Sequence, residues 1–150
     1  PDLARYTRLG DLLLQAERPK AALIEYEKAV DPDEPPSPLL MSRKAQCLAD
    51  LERVRDALGE AQEGVRLYPE FAPLQVIYAR MLELSGRSLD ARKAWAEAHN
   101  LNPYDPEVQE ALVRLYGEEG NSTAQARHER YAHILATGGL MPEETAEESR

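Results

Sequence analysis

Similar residue types return at a fixed interval along this chain. Gly10, Ala45, Ala79 and Val113 stand at steps of 35, 34 and 34 residues, as do Leu13, Leu48, Leu82 and Tyr116. Ala22, Ala57, Ala91 and Gln125 form a third such set, and Ala29, Gly64, Ala98 and Ala132 a fourth. A period of this size marks stacked repeats, each burying its apolar face against its neighbours rather than in one closed core. Such a stack offers an open surface to a partner and seldom carries a catalytic pocket.

The units are helical. Runs of alternating β-branched residues are almost absent, and the apolar residues recur at helical spacing. Pro19 suits the first turn of a helix, where its missing N–H costs nothing. Ser37-Pro38 and Asp105-Pro106 have the form of an N-cap followed by proline at the first helical position. Ser88 is expected to cap the helix ending at Leu101, and Ser122-Thr123-Ala124-Gln125 reads as a capping box. Breaks fall at Pro32 to Pro36, Pro69, Gly86, Pro103 and Gly120. Eight helices are expected, near 2–17, 19–31, 38–51, 54–67, 72–85, 88–101, 106–119 and 122–137. Asp31 to Pro36 is a stiff connector.

Spacing also explains residue size. Tyr6, Leu9, Gly10 and Leu13 share one helix face. Gly10, Ala45 and Ala79 let a second helix approach closely, and Ala22, Ala57 and Ala91 do the same from the other side. Tyr26 and Trp95 fill the volume between hairpins. Ala61 stands at the corresponding place in the second hairpin, so another side chain must fill that layer.

The chemistry-bearing residues point away from catalysis. A net charge of −9 opposes binding to a phosphate backbone, which needs a footprint of lysines and arginines. No apolar run approaches the roughly 18 residues of a membrane span. His128 and His133 lie five apart, roughly 140° round a helix, whereas the zinc-peptidase motif needs two histidines four apart. Neither metal nor cofactor is expected. His99, near a helix end, suits a cation on the helix dipole. Asn121-Ser122-Thr123 matches a glycosylation sequon but reads better as turn and cap. Cys47 is the only cysteine and reads as a buried structural thiol. The acidic stretch Leu140–Arg150 is expected to be a solvated end, or a short helix started by Pro142. No targeting segment is visible, the compartment stays open with the cytoplasm slightly favoured, and a start at Pro1 suggests a piece of something longer.

The pattern resembles the tetratricopeptide repeat: a large apolar residue, Leu-Gly or a similar pair, an aromatic or leucine, then Ala, an aromatic, Ala and Pro. The first hairpin carries Tyr6, Leu9-Gly10, Leu13, Ala22, Tyr26 and Ala29. The second carries Met41, Ala45, Leu48, Ala57, Gly64 and Pro69. The third carries Tyr78-Ala79, Leu82, Gly86, Ala91, Trp95, Ala98 and Pro103. The fourth keeps Leu112, Tyr116, Gly120 and Ala132 but has Gln125 and Glu129 where the motif wants Ala and an aromatic, as an end cap would. Lys44 and Arg92 also depart, standing where leucine and an aliphatic residue are usual. The resemblance implies an all-α, right-handed superhelical solenoid, with repeats at 3–36, 37–71 and 72–105, a capping hairpin at 106–137 and an acidic tail at 138–150.

The resemblance also implies a protein-interaction module that grips a peptide or helix in a concave groove, lined by the first helix of each hairpin. The face opposite the anchors presents Thr7, Arg8, Asp11, Leu14 and Gln15 in the first hairpin, and Leu39, Ser42, Arg43, Gln46 and Asp50 in the second. It presents Val76, Ile77, Arg80, Glu83 and Leu84 in the third, and Glu107, Glu110, Arg114 and Glu118 in the last. Arginine beside apolar residues suits carboxylates. The plainer expectation is pairing at i, i+3 spacing, Arg8 with Asp11 and Arg80 with Glu83. The chaperone-clamp sub-class fits poorly, because Thr7, Asp11, Pro73 and Ile77 replace its lysine, asparagine, lysine and arginine. Two further readings are an auxiliary, substrate-recruiting region of a larger enzyme, and association of copies through the exposed end of the stack.

Overall fold

A computed structural model describes residues 2–139. The acidic stretch from Leu140 lies outside the described residues. Among the described residues all regular structure is helical: α1 (Leu3–Gln15), α2 (Pro19–Lys28), α3 (Pro38–Asp50), α4 (Val54–Leu67), α5 (Ala72–Leu84), α6 (Ser88–Leu101), α7 (Pro106–Glu118) and α8 (Ser122–Thr137).

The starts follow the capping chemistry. The side chains of Asp2, Ser37 and Asp105 accept hydrogen bonds from the amides of Arg5, Leu40 and Glu107. These caps stand in one register of the period, with Phe71 in the third place as a cap lacking a side-chain acceptor. Two expectations need correction. Ser88 and Ser122 lie inside their helices as first residues. The cap of α8 is Asn121, whose side chain accepts from the Ala124 amide, because its planar carboxamide sits one residue ahead of the expected box.

The ends are periodic too. Glu17, Glu52, Gly86 and Gly120 hold φ of 56°, 59°, 75° and 72°. After each, the next amide reaches back five residues: Arg18 to the Leu13 carbonyl, Arg53 to Leu48, Arg87 to Leu82 and Asn121 to Tyr116, at 2.9 Å in every case. This left-handed closure satisfies carbonyls that a helix end would otherwise leave open. The same turn therefore recurs once per period, built from glycine twice and from glutamate twice.

The chain divides into two compact units between Arg87 and Ser88, inside the stretch read as the third repeat. In the first unit α1 packs on α2 and α3 on α4, while α2 also lies against α3 and α4 against α5. Its core is built from Ala22, Tyr26, Ala45, Cys47, Ala57, Ala61 and Met81. Burial pushes the Cys47 thiol up to about 11, so it stays protonated filler. A Cβ on Gly10 would lie 2.7 Å from Cδ1 of the Tyr26 ring, and one on Gly64 would lie 2.7 Å from Cδ2 of Leu74. These glycines set the close crossings of α1 with α2 and of α4 with α5.

In the second unit α6 packs on α7 and α7 on α8, around Trp95, Val108, Leu112 and Leu115. Both departures from the motif have a physical answer. Lys44 on α3 meets Glu60 on α4 at 3.3 Å, with both side chains largely covered. Arg92 on α6 meets Glu119 at 3.1 Å, its guanidinium 5.5 Å from the centroid of the Tyr116 ring. Each misplaced cation has an acid on the helix beside it.

Candidate functional site

Within the first unit the residues singled out on α1, α3 and α5 converge on Arg43. One cleft of about 230 Å³ is lined by Ser42, Arg43, Gln46, Pro73, Val76, Ile77 and Arg80. A second, of about 200 Å³, is lined by Asp11, Leu14, Gln15 and Arg43. Arg43 is common to both. Helical spacing produces this: 43 and 46 share a face of α3, and 73, 76, 77 and 80 share a face of α5.

The hydrogen bonding is graded. Tyr26 donates its hydroxyl to Asp11 Oδ1 at 2.6 Å, from a ring wholly buried against Gly10. Burial raises the Tyr26 pKa and the Asp11 carboxylate raises it further, so the phenol remains a donor. Arg43 Nε stands 3.2 Å from the same oxygen. The N–H does not point at it, and Nε is shielded from water with no hydrogen-bond acceptor. The pair is therefore an ion pair by distance that leaves a donor unused at the junction of the two clefts. Gln46 donates to Asp50 at 2.6 Å and accepts from Arg80 at 3.4 Å.

Asp11 does not pair with Arg8. Arg8 turns back to Asp2 at the start of α1, 3.8 Å away and largely exposed. The helical pair lost because Asp11 gains a short charge-assisted bond and a cation from α3, against about 0.2–0.5 kcal/mol for an exposed i, i+3 pair. Leu14 is half-buried, Ile77 buried and Val76 half-buried at the cleft; Glu83 lies half-buried further along α5 and Asp50 is exposed. Arg114 stands exposed on α7, in the second unit.

A second polar cluster lies inside the second unit. Gln109 is wholly buried. Its Nε2 donates to His99 Nδ1 at 2.9 Å and to the Pro103 carbonyl at 2.8 Å, and its Oε1 lies 2.8 Å from His128 Nδ1. Both amide hydrogens are thus spent, Oε1 must accept, and His128 carries its proton on Nδ1. The Tyr116 ring stacks on His128 at 8° between planes, and Tyr131 meets His99 edge-on. Burial holds both imidazoles neutral, with His128 pushed down to about 4. The expectation of His99 as a helix-end cation is thereby overturned: the cost of burying a charge exceeds the helix-dipole gain. Helical spacing alone does not single out Gln109 or Gln75, both of them buried. Their signal was positional, since both occupy the register place of Tyr6 and Met41.

The fold is that of a tetratricopeptide-repeat domain. The chain superposes on YrrB, a TPR protein with an unusual peptide-binding site, at a TM-score of 0.73 and 19% identity over 98% of this chain and 75% of that one. It matches the first TPR of Spaghetti (RPAP3), solved with the HSP90 peptide SRMEEVD, at 0.72 and 17% over 79% and 95%. MamA 41-end from Desulfovibrio magneticus RS-1 gives 0.77 and 16% over 91% and 77%. No family profile and no curated protein sequence matches the chain. Among the described residues, no helix is long and apolar enough to cross a membrane.

Proposed function

We propose that this chain is a protein-interaction module that holds an extended peptide of a partner protein across α1, α3 and α5, with repeats at 3–36, 37–71 and 72–105 and a closing hairpin at 106–137. The observation that carries this reading is the pair of clefts joined at Arg43 and lined from α1, α3 and α5. The Arg43 side chain, 43% exposed, can donate to a peptide carbonyl or carboxylate. Val76 and Ile77 give the neighbouring side chain an apolar wall, and a drier setting strengthens a bond to a guanidinium. The peptide-binding site of YrrB and the HSP90 peptide bound by the Spaghetti domain lend support by likeness of fold. Leu14, Gln46 and Asp50 extend the surface along the same helices, and Arg8 and Glu83 form its rim.

The test is a quantitative pull-down with mass spectrometry, comparing the parent with Arg43→Glu, Arg80→Glu. A protein enriched by the parent and lost with the variant, at unchanged helicity, supports the groove. Equal recovery moves the contact elsewhere on the surface.

A further inference from the structure

A third cleft lies in the first unit, apart from Arg43. It measures about 450 Å³, larger than either cleft there, and shares no residue with them. Pro19, Ala21 and Ile24 of α2 and Leu51 of the next hairpin supply its apolar lining, and Arg18 and Lys20 its cations. Glu17 is the one acid that lines it. The period shows which of these residues the fold itself requires. Ile24 has Gly59, Lys93 and Arg127 as its equivalents, and Leu51 has Ala16, Ser85 and Glu119. Neither place needs a large apolar side chain, yet this cleft carries one at both. Ile24 is 48% exposed, and Leu51, half-buried, packs only in part on the core.

The charges depart from the period in a matching way. Arg18, Arg53 and Arg87 each stand just ahead of a second helix. Arg53 and Arg87 have an aspartate three residues on, Asp56 and Asp90. Arg53 holds Asp56 through Nε and a terminal nitrogen, both 2.9 Å from Oδ2. At Arg18 the place of the aspartate is taken by Ala21, and the first turn of α2 carries no acid. Arg18 is exposed, and so is Lys20 two residues on. The cleft thus joins an apolar wall that the repeat does not call for to two cations that lack the carboxylate it supplies elsewhere. An apolar side chain next to a carboxylate answers both. Two cations beside Glu17 make too small a footprint for a nucleic-acid backbone.

We propose that this cleft is a second interaction site, which takes an apolar side chain and the carboxylate that follows it from an acidic segment of a partner protein. The apolar side chain packs against Ile24 and Leu51. The carboxylate sits beside Arg18 and Lys20, in the place that Asp56 holds beside Arg53. The site is built from α2 and the turns on either side of it, so it is independent of the groove at Arg43 and can be tested apart from it.

The test is an amide NMR titration of the full 150-residue chain with the probe acetyl-Leu-Glu-amide. The amides of Ala21, Ile24 and Leu51 should shift saturably, in the millimolar range because so small a probe covers little area. Acetyl-Leu-Gln-amide, which lacks the carboxylate, and acetyl-Ala-Glu-amide, which lacks the large side chain, should each bind several-fold more weakly. Added salt should weaken the parent probe, since Arg18 and Lys20 are exposed. Two variants copy residues that the repeat already tolerates. Ile24→Lys takes the residue of Lys93 and removes the apolar wall, and Ala21→Asp takes that of Asp56 and occupies the carboxylate place from within. Circular dichroism should match the parent for both, and both should abolish the shifts; if either loses helicity, the other and the two control probes decide. The absence of saturable shifts, equal response to all three probes, or variants that bind like the parent overturns the proposal. Shifts at Arg18 and Lys20 alone, reproduced by inorganic phosphate, overturn it in favour of a plain anion site. Shifts that fall at Gln46 and Val76 instead overturn it in favour of the groove.

Discussion

Replacing Glu52 with glycine should make the protein more stable, although it removes a side chain and adds none. Glu52 holds φ of 59°, where its Cβ crowds the following carbonyl. That conformation costs a residue with a Cβ about 1–2 kcal/mol. Glycine removes the strain but returns about 0.4–1 kcal/mol through the freedom of the unfolded chain. A second gain comes from charge: the residue follows the carbonyl end of α3, where a carboxylate is disfavoured by about 0.3–1 kcal/mol. The net is roughly 0.5–2.5 kcal/mol. Glu17 repeats the geometry at φ 56°, and both side chains are exposed. The two sites lie in separate turns, so the double variant should gain about 1–5 kcal/mol. For a chain of this size each kcal/mol is worth about 2–4 °C in Tm. Urea denaturation at constant m-value is the assay, with Glu52→Gln separating charge from strain. Gly86→Ala supplies the converse: nothing lies within 4 Å of the added Cβ, so its loss should be conformational, about 1 kcal/mol. Glu52→Gly that is no more stable than the parent, at unchanged m, would refute the claim that these turns store strain.

Two glycines of α4 should respond with opposite signs. Gly59→Ala meets nothing within 4 Å and should stabilise by about 0.8–1 kcal/mol, whereas Gly64→Ala drives a methyl into buried Leu74 and should cost about 1–3 kcal/mol; thermal melts decide both. Tyr26→Phe removes the bond to Asp11 and should cost about 1.5–3 kcal/mol in urea denaturation, a loss that Asp11→Asn in the same chain should reduce. For pH, His128 titrates near 6.5 when unfolded and about 4 when folded, with His99 shifted in the same direction. A depressed pKa gives stability that is complete above the unfolded value and is lost on acidification from about 6.5 towards 4. Melts across that window should show the loss, His128→Asn should flatten it, and an imidazole NMR titration placing His128 near 6.5 in the folded protein would contradict it.

The starts of α3 and α7 were legible because they are fixed locally, by Ser37, Asp105 and the prolines beside them. The turns at Glu17 and Glu52 were less so: no glycine announces them, and only their register with Gly86 and Gly120 shows what they must do. At the candidate site, the sequence named Arg43, Gln46, Val76, Ile77 and Arg80 by helix face, and the structure gathers them round one cleft. It paired Arg8 with Asp11 because helical spacing is all that a local rule sees. The partners that prevailed, Tyr26 and Arg43, come from other helices. The buried glutamines escaped for a related reason. A polar residue in an apolar place is explained only by partners, and those of Gln109 lie on three segments of chain: His99, the Pro103 carbonyl and His128.

The bond between Tyr26 and Asp11 has a consequence for how this surface can change over evolutionary time or in the hands of an engineer. The Tyr26 ring belongs to the interior and is locked against Gly10, while its hydroxyl reaches out to hold Asp11 beside Arg43. A new recognition preference written at Gln15 or Leu14 leaves the interior untouched. One written at Asp11 strands the Tyr26 phenol and demands a compensating change on α2, the helix packed beneath. The cleft therefore has an erasable margin and one indelible letter, and libraries that randomise Gln15, Leu14 and Gln46 while keeping Asp11 should yield far more folded variants than libraries that include it.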